Sequence, residues 1–438
     1  MSDPAPIQRA IVRRPWIAPG ITALAALLPI GALAASGHFS AWFSPDTASY
    51  LASDGLGQMR LPLYGWLLRQ LPGDGPVVPV LQAGSYILAA CLLVMAIQRA
   101  GGSRAAALAI GLALAWSNLV LLWSYALVPE FPGHAALLLA LAATLEVASG
   151  RSGWRGIAVA AGAVTLAWAL RPSLLPFVLL LPLLPLALRP QCLLPPRRAI
   201  ALWLAIACLV PPLLLCTVRL ARYGDFNITS FGGFQMSGMA ALMLTPEIAA
   251  RLPLDSAPLA REVLAGREKL EAAGAAIAVP LNSTGHRSFV SAAVFYFDIL
   301  ARTHDTVLYG AVAPLQAPGE MWPAFNQRLQ RLAVATVKAA PVSYGAWVVG
   351  ATSRLVGHAL VLNPCFLLAA AMLLLLAGRP VRAGAPGDLR LLLVLVGVYT
   401  VGTGALAVLI TFPASRYIDS AALMLAALPF HGVLRRLG

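Results

Sequence analysis

Residues 16–36 read WIAPGITALAALLPIGALAAS, a run without a charged side chain. The hydrocarbon core of a bilayer is about 30 Å thick, and a helix crosses it with roughly 20 apolar residues. Arg9, Arg13 and Arg14 precede the run. Because basic flanks tend to stay in the cytoplasm, the run predicts a first membrane span that is retained as an anchor, with the N-terminus inside.

Further apolar segments flanked by basic residues follow along the rest of the chain. Of its 438 residues, 59% are hydrophobic and 11% are charged, whereas soluble domains have about 25% charged residues. The five cysteines lie in or beside apolar segments, so they do not indicate a disulfide framework. The net charge of +14 is scattered between apolar segments, which favours the positive-inside rule over a nucleic-acid partner. The composition predicts an all-α polytopic membrane protein.

About ten membrane spans are predicted, with both chain ends in the cytoplasm. Arginine exceeds acidic residues in the proposed inner segments, whereas basic and acidic residues nearly balance over 222–340, as expected for inner and outer loops. Three regions follow: an N-terminal transmembrane module at 1–221 with an outer loop at 37–78, an outer helical region at 222–356, and C-terminal helices at 357–438. The proposed spans are 16–36, 79–98, 105–127, 133–149, 156–170, 174–188, 199–220, 357–378, 390–411 and a last one that ends before Arg435.

The first outer loop contains an unusual carboxylate. Residues 43–50 read FSPDTASY, and Asp46 lies where the first span emerges into water. Residues 56–69 are amphipathic and too short to span, so they predict one or two helices in the interface. A spanning helix does not require Asp46, which indicates a chemical role such as general base. The alternative is that Ser44 or Asp46 only caps a helix that begins near Thr47.

Three further charged residues are placed on the same face by this topology. They are Glu130 in an outer turn, Arg171 before Pro172, and Arg416. Charges at membrane depth are costly and are usually functional or paired. The alternatives are an ordinary loop charge for Glu130, a snorkelling anchor for Arg171, and a helical pair with Asp419 for Arg416.

The outer region predicts a small helical module. A short extended piece is expected at 225–229, and the glycine-rich segment 231–238 can bring backbone close to a ligand but has no phosphate-loop signature. The sequence contains no HExxH, CxxC, GxSxG or DxD motif. Helices are expected at 256–275, 286–303, 324–339 and 341–356.

The order of these features resembles the GT-C glycosyltransferases, polytopic enzymes that use polyprenyl-phosphate-linked sugars. The resemblance covers most of the membrane part, although each motif is short. The chain departs from the family in lacking a paired acidic DxD and a large C-terminal periplasmic domain, which leaves use of a divalent cation open. The matching residues are Ser44–Tyr50 after the first span, Leu61–Tyr64, Pro129–Glu130, Leu170–Ser173, and Ser415–Tyr417 with Pro429.

The resemblance implies an inverting transferase in a bacterial inner membrane, with its active site at the periplasmic face. Asp46 would take the proton of an acceptor hydroxyl, and Arg171, Arg416 and Tyr417 would bind the phosphate of the lipid-linked donor. The acceptor could be a lipid, a glycan or a protein. Sugar or acceptor contacts are expected from Glu130, Asp54, Tyr50, Tyr64 and Arg60.

Two other functions fit the same class of protein. A flippase or transporter of a lipid-linked saccharide would also hold phosphate with arginines, but it favours inverted repeats and charges near the bilayer centre, which the sequence does not show. An O-antigen-type polymerase or ligase also acts at the outer face, with arginine and histidine in a long loop. Such a polymerase or ligase needs no base in the first outer loop, so the position of Asp46 favours the transferase.

Overall fold

The computed structural model describes residues 16–44, 46–53, 55–72, 75–117, 120, 123–187, 196–275, 300–361 and 409. Within these residues the chain is helical and contains no β-strand, so the predicted all-α class is confirmed for them. Asp54, Arg416, Tyr417, the basic N-terminal flank, and the predicted spans beyond residue 361 lie outside the described residues.

The N-terminal module consists of apolar helices joined by short turns. Pro62 occupies the first turn of its helix, where proline costs no hydrogen bond, and the Ser103 hydroxyl accepts a hydrogen bond from the Ala106 N–H as a cap. The helices are α1 (Ile17–Ala35), α2 (Thr47–Leu51), α3 (Pro62–Arg69), α4 (Val77–Arg99), α5 (Arg104–Ala115), α6 (Glu130–Ala148), α7 (Trp154–Leu170), α8 (Leu175–Val178), α9 (Leu183–Ala187) and α10 (Arg197–Tyr223).

The outer region has its own apolar core. Phe234, Phe325 and Trp347 are each fully buried in it. Trp322 packs edge-on against Phe234, with ring centroids 5.4 Å apart. Its helices are α11 (Gly232–Met243), α12 (Pro246–Ala249), α13 (Ala257–Ala272), α14 (Leu300–Val307), α15 (Trp322–Ala339) and α16 (Pro341–Val361).

Four described helices are long and apolar enough to cross a membrane: α1, α4, α6 and α10. Helix α6 is central, since 83% of the residues in its 18-residue apolar stretch are buried, whereas the corresponding share for α10 is 28%. Small residues allow close packing of α1 on α5, because a Cβ at Gly111 would lie 2.0 Å from the Thr22 hydroxyl oxygen. The module is therefore a helical bundle built around α6.

The structure departs from the predicted spans in three places. Helix α5 ends at Ala115 rather than near 127, because the backbone of residues 125–127 instead pairs with Trp42. The proposed span 174–188 is divided into α8 and α9. Helix α16 runs through the predicted boundary at 356 and meets α15 at a bend of 102°. The predicted break at Arg171 is confirmed, since α7 ends at Leu170 and Arg171 is extended.

Candidate functional site

One cavity of about 360 Å³ lies where the N-terminal module meets the outer region. Its volume is in the range of small-molecule sites, roughly 300–1,000 Å³. The charged side chains of its lining are Asp46, Arg60, Glu130 and Arg171. The other lining residues are Tyr50, Met59, Leu61, Leu170, Pro172, Ser173, Asn227, Ile228, Thr229, Phe231, Gly232, Gly233, Gln235, Asn326 and Gln330.

Helix α2 is held in place by the chain segment that follows α5. The Trp42 N–H donates to Tyr125 O, and the Leu127 N–H donates to Trp42 O. The buried Thr47 hydroxyl donates to Leu127 O at 2.9 Å. These bonds explain why α5 is short: the residues after it fix the loop that presents Asp46.

Asp46 does not cap α2 with its side chain, so the capping alternative for this residue is wrong. Its carboxylate Oδ1 instead accepts a hydrogen bond from Arg60 Nη2 at 3.0 Å, with the two side chains 17% and 13% exposed. The Arg60 Nε also donates to the Ser49 hydroxyl. Asp46 is therefore paired but still reaches the cavity.

Arg60 joins the first outer loop to the outer region. Its guanidinium carbon lies 4.8 Å from the Tyr50 ring centroid and 4.3 Å from the Phe231 ring centroid. Cation–π contacts of this kind contribute about 0.5–2 kcal/mol, more when desolvated. Two aromatic rings and a carboxylate therefore fix the guanidinium at the cavity wall.

Tyr64 lies behind Tyr50 rather than in the cavity lining. Their rings meet edge to face at 5.4 Å, and the buried Tyr64 hydroxyl donates to Gln82 Oε1 at 3.1 Å. Burial, the Glu130 charge and the neighbouring Tyr50 raise the pKa of Tyr64 well above its ordinary value. Tyr64 is therefore a neutral hydrogen-bond donor that supports Tyr50.

Glu130 and Arg171 form a buried ion pair at the base of the cavity. Helices α6 and α7 are antiparallel neighbours, so the start of α6 meets the end of α7. Arg171 Nη1 lies 2.9 Å from Glu130 Oε1, and each side chain is 6% exposed. Arg171 Nε also donates to the Ser173 hydroxyl. Glu130 is thus not an ordinary loop charge, and Arg171 does not snorkel to the surface.

The segment between α10 and α11 forms the outer wall of the cavity through Asn227, Ile228, Thr229 and Phe231. It leaves α10 at Gly224, whose φ of +65° suits glycine. Arg219 Nη2 then donates to Asp225 Oδ2 at 2.9 Å, with both side chains 1% exposed.

The Asp225 carboxylate is the anchor of this wall. Burial raises its pKa, but hydrogen bonds from Ser230, Asn227 and Arg219, with the Arg219 charge, outweigh burial and lower the pKa below its usual value. The Trp322 indole N–H donates to Ser230 O, which joins the segment to α15. The wall is therefore fixed at both ends by polar contacts, which are fully buried at the Asp225 end.

The glycine-rich start of α11 presses against α15. A Cβ at Gly233 would lie 2.1 Å from the Asn326 carbonyl oxygen, and the Phe234 N–H donates to Asn326 Oδ1 at 3.0 Å. Gly233 is thus required for close approach of the two helix backbones, whereas the sequence pattern predicted close approach to a ligand, which stays a prediction. Asn326 and Gln330, four residues apart on one face of α15, line the cavity beside it.

The structure brings together Asp46, Tyr50, Arg60, Glu130 and Arg171 at this cavity. Sequence reasoning did not identify Asn326, Gln330 or the Arg219–Asp225 pair. Arg219 is a cation in the last turns of an apolar helix, and that position was the available signal; nothing in the local pattern around Asn326 distinguishes it.

The chemistry of the site is that of paired charges at the end of apolar helices. Within the described part of the chain, no three His, Cys, Asp or Glu side chains are grouped as a metal site. Compared with protein-family models, curated proteins and solved structures, the chain matches none.

Proposed function

We propose that this protein is an inverting glycosyltransferase that moves a sugar from a polyprenyl-phosphate donor to an acceptor hydroxyl at the outer face of a membrane. One observation carries the proposal. Four charged side chains from separate parts of the chain, Asp46, Arg60, Glu130 and Arg171, meet at a single cavity beside the ends of apolar helices.

Asp46 is the proposed general base. It would accept the proton of the acceptor hydroxyl as that oxygen attacks the anomeric carbon, a step typically worth 10²–10⁴-fold in rate. The hydrogen bond from Arg60 holds the Asp46 carboxylate at the cavity wall. A single displacement assisted by one carboxylate leads to inversion, by analogy with inverting glycosidases.

The phosphate of the donor needs positive charge as it leaves with the lipid. Arg171 lines the cavity, and a guanidinium binds phosphate oxygens bidentately. However, the four charges of the described lining sum to zero. We therefore assign the additional positive charge to Arg416, assisted by Tyr417, although both lie outside the described residues. Glu130 is proposed to orient Arg171 and the sugar.

The wider setting is part of the same proposal. We place the protein in a bacterial inner membrane with about ten spans, both termini in the cytoplasm and the cavity at the periplasmic face. The four long apolar helices support a membrane location. The partners would be the lipid-linked donor, the membrane, and a lipid, glycan or protein acceptor.

The test is sugar transfer by the purified full-length protein in liposomes, with a panel of polyprenyl-phosphate sugars and acceptors. Asp46→Asn keeps the shape and the contact with Arg60 but removes the base, so transfer should fall by about 10² or more. Glu268→Gln is the control, because Glu268 is exposed on α13, away from the cavity.

Normal transfer by a folded Asp46→Asn variant would refute the assignment of Asp46 as the general base. Movement of a labelled lipid-linked sugar across the bilayer, without transfer by the wild type, would replace the transferase with a flippase.

A further inference from the structure

A second concave surface lies on the outer region beside the cavity. It is a groove of about 750 Å³ between α15 and the turn that precedes α13. Its lining combines basic side chains, two amides and small apolar faces. The residues are Arg251, Pro253, Asp255, Ser256, Gln327, Gln330, Arg331, Val334, Ala335, Lys338 and Ala339.

The groove is cationic. Arg251, Arg331 and Lys338 contribute three positive charges to its lining, against one negative charge from Asp255. All three basic side chains are on exposed residues. Charges elsewhere in the outer region nearly balance, and the neighbouring Arg328 is already paired with Glu320 at 2.9 Å. The positive excess is therefore a local property of this groove.

The basic residues share one face of α15 with its apolar groove residues. Arg331, Val334, Ala335 and Lys338 follow the i, i+3, i+4, i+7 spacing of a single helical face. A ligand lying along this face would meet charge at both ends and small apolar side chains between them. That alternation suits a chain of sugar rings, which present apolar faces as well as polar edges.

The groove leads to the cavity. Gln330 lines both concavities, and it follows Asn326 of the cavity wall by one helical turn. Gln327, which also lines the groove, donates from Nε2 to Gly224 O, at the start of the segment that forms the outer wall of the cavity. Gln330 therefore lies where the groove adjoins the cavity that Asp46 lines.

We propose that this groove binds the acceptor, and that the acceptor is an anionic saccharide chain bearing carboxylate or phosphate groups. Guanidinium groups bind such anions with paired hydrogen bonds, and the amides of Gln327 and Gln330 are suited to sugar hydroxyls. The end of the chain would pass Gln330 and present a hydroxyl to Asp46. This inference rests on the proposed function, because it gives the acceptor of that transfer its chemical class.

The experiment measures binding rather than transfer. Full-length protein in nanodiscs of zwitterionic lipid is titrated with fluorescent oligogalacturonate, a carboxylated oligosaccharide, and with a neutral maltooligosaccharide of equal length. The anionic ligand should bind more tightly, and its affinity should fall as salt is raised, because exposed charges are screened.

The decisive variant is Arg331→Gln with Lys338→Gln. The loss of two exposed charge contacts should weaken binding of the anionic saccharide by about tenfold. The matched control is Arg261→Gln with Lys269→Gln, which removes one arginine and one lysine from exposed positions on α13 outside the groove. The control should bind as the wild type does.

Three results would overturn the proposal: equal affinity for the neutral saccharide, no binding of the anionic one, or equal loss in the groove and control variants. Competition by nanodiscs that contain anionic lipid, through the same two residues, would reassign the groove to lipid headgroups. Asp46→Asn separates the two proposals. It should bind the anionic saccharide normally while losing transfer, so failed transfer with intact, groove-dependent binding would count against the transferase alone.

Discussion

Replacing Arg171 with methionine would remove one half of the buried ion pair and keep most of the side-chain volume. The Glu130 carboxylate would then lose this partner, while only 6% of its side chain is exposed. Removing one partner from a buried pair typically costs about 3–5 kcal/mol. Because both side chains are almost fully buried, little solvent reaches the Glu130 carboxylate once Arg171 is removed. We therefore expect a loss of that size in the free energy of unfolding.

The double variant Arg171→Met, Glu130→Gln removes both charges. Because neither charged group is then buried without the other, the loss in unfolding free energy should be smaller than the sum of the losses in the two single variants. The coupling energy should be roughly 2–3 kcal/mol. The measurement is reversible unfolding in mixed micelles as denaturing detergent is added, followed by tryptophan fluorescence.

The internal control is the ion pair between Arg99 and Glu146, which joins α4 to α6 at 3.2 Å. Its side chains are 46% and 22% exposed, so Arg99→Met should cost only about 0–1 kcal/mol. Additive losses at Arg171 and Glu130, or a loss at Arg171 no larger than that at Arg99, would refute the reasoning from burial.

Two further predictions concern the outer wall of the cavity. Gly233→Ala should lower the free energy of unfolding by about 1–3 kcal/mol, because its Cβ would meet the Asn326 carbonyl oxygen at 2.1 Å, whereas Gly232→Ala has nothing within 4 Å and should be tolerated; equal effects would contradict this packing. Asp225 has a lowered pKa in the folded protein. Its stabilising contribution should therefore be present above about pH 4 and be lost as pH falls through the folded pKa. The difference in unfolding free energy between wild type and Asp225→Asn should accordingly shrink from pH 6 to pH 3. A difference that stays constant over this range would contradict the stabilising role of the Asp225 carboxylate.

The sequence predicted the features that depend on local composition. Charge-free runs of about 20 residues predicted helices such as Ile17–Ala35 and Val77–Arg99. The Arg171–Pro172 step predicted a break, because proline disfavours helix at the preceding residue. The amphipathic stretch 56–69 predicted one or two short helices, and α3 (Pro62–Arg69) lies within it.

The sequence did not predict where the third span would end. The run from 105 to 127 is apolar enough to cross a membrane, yet α5 stops at Ala115. The cause is non-local: the Trp42 N–H donates to Tyr125 O, and Trp42 O accepts from the Leu127 N–H. A hydropathy profile cannot detect these bonds, because it depends only on the residues within a segment and not on distant residues that hydrogen-bond to it in the fold.

By itself, then, the sequence predicted an all-helical chain with helices apolar enough to cross a membrane, as the described residues have, and it predicted that polar groups such as Asp46 and Arg171 occupy costly positions. Only the tertiary structure decided their partners, which are Arg60 for Asp46 and Glu130 for Arg171. It also placed the Phe231 ring against the Arg60 guanidinium. Helix formation and hydropathy follow from neighbouring residues, whereas ion pairs and cavity walls join residues far apart in the chain. Their geometry is therefore fixed only when the helices pack.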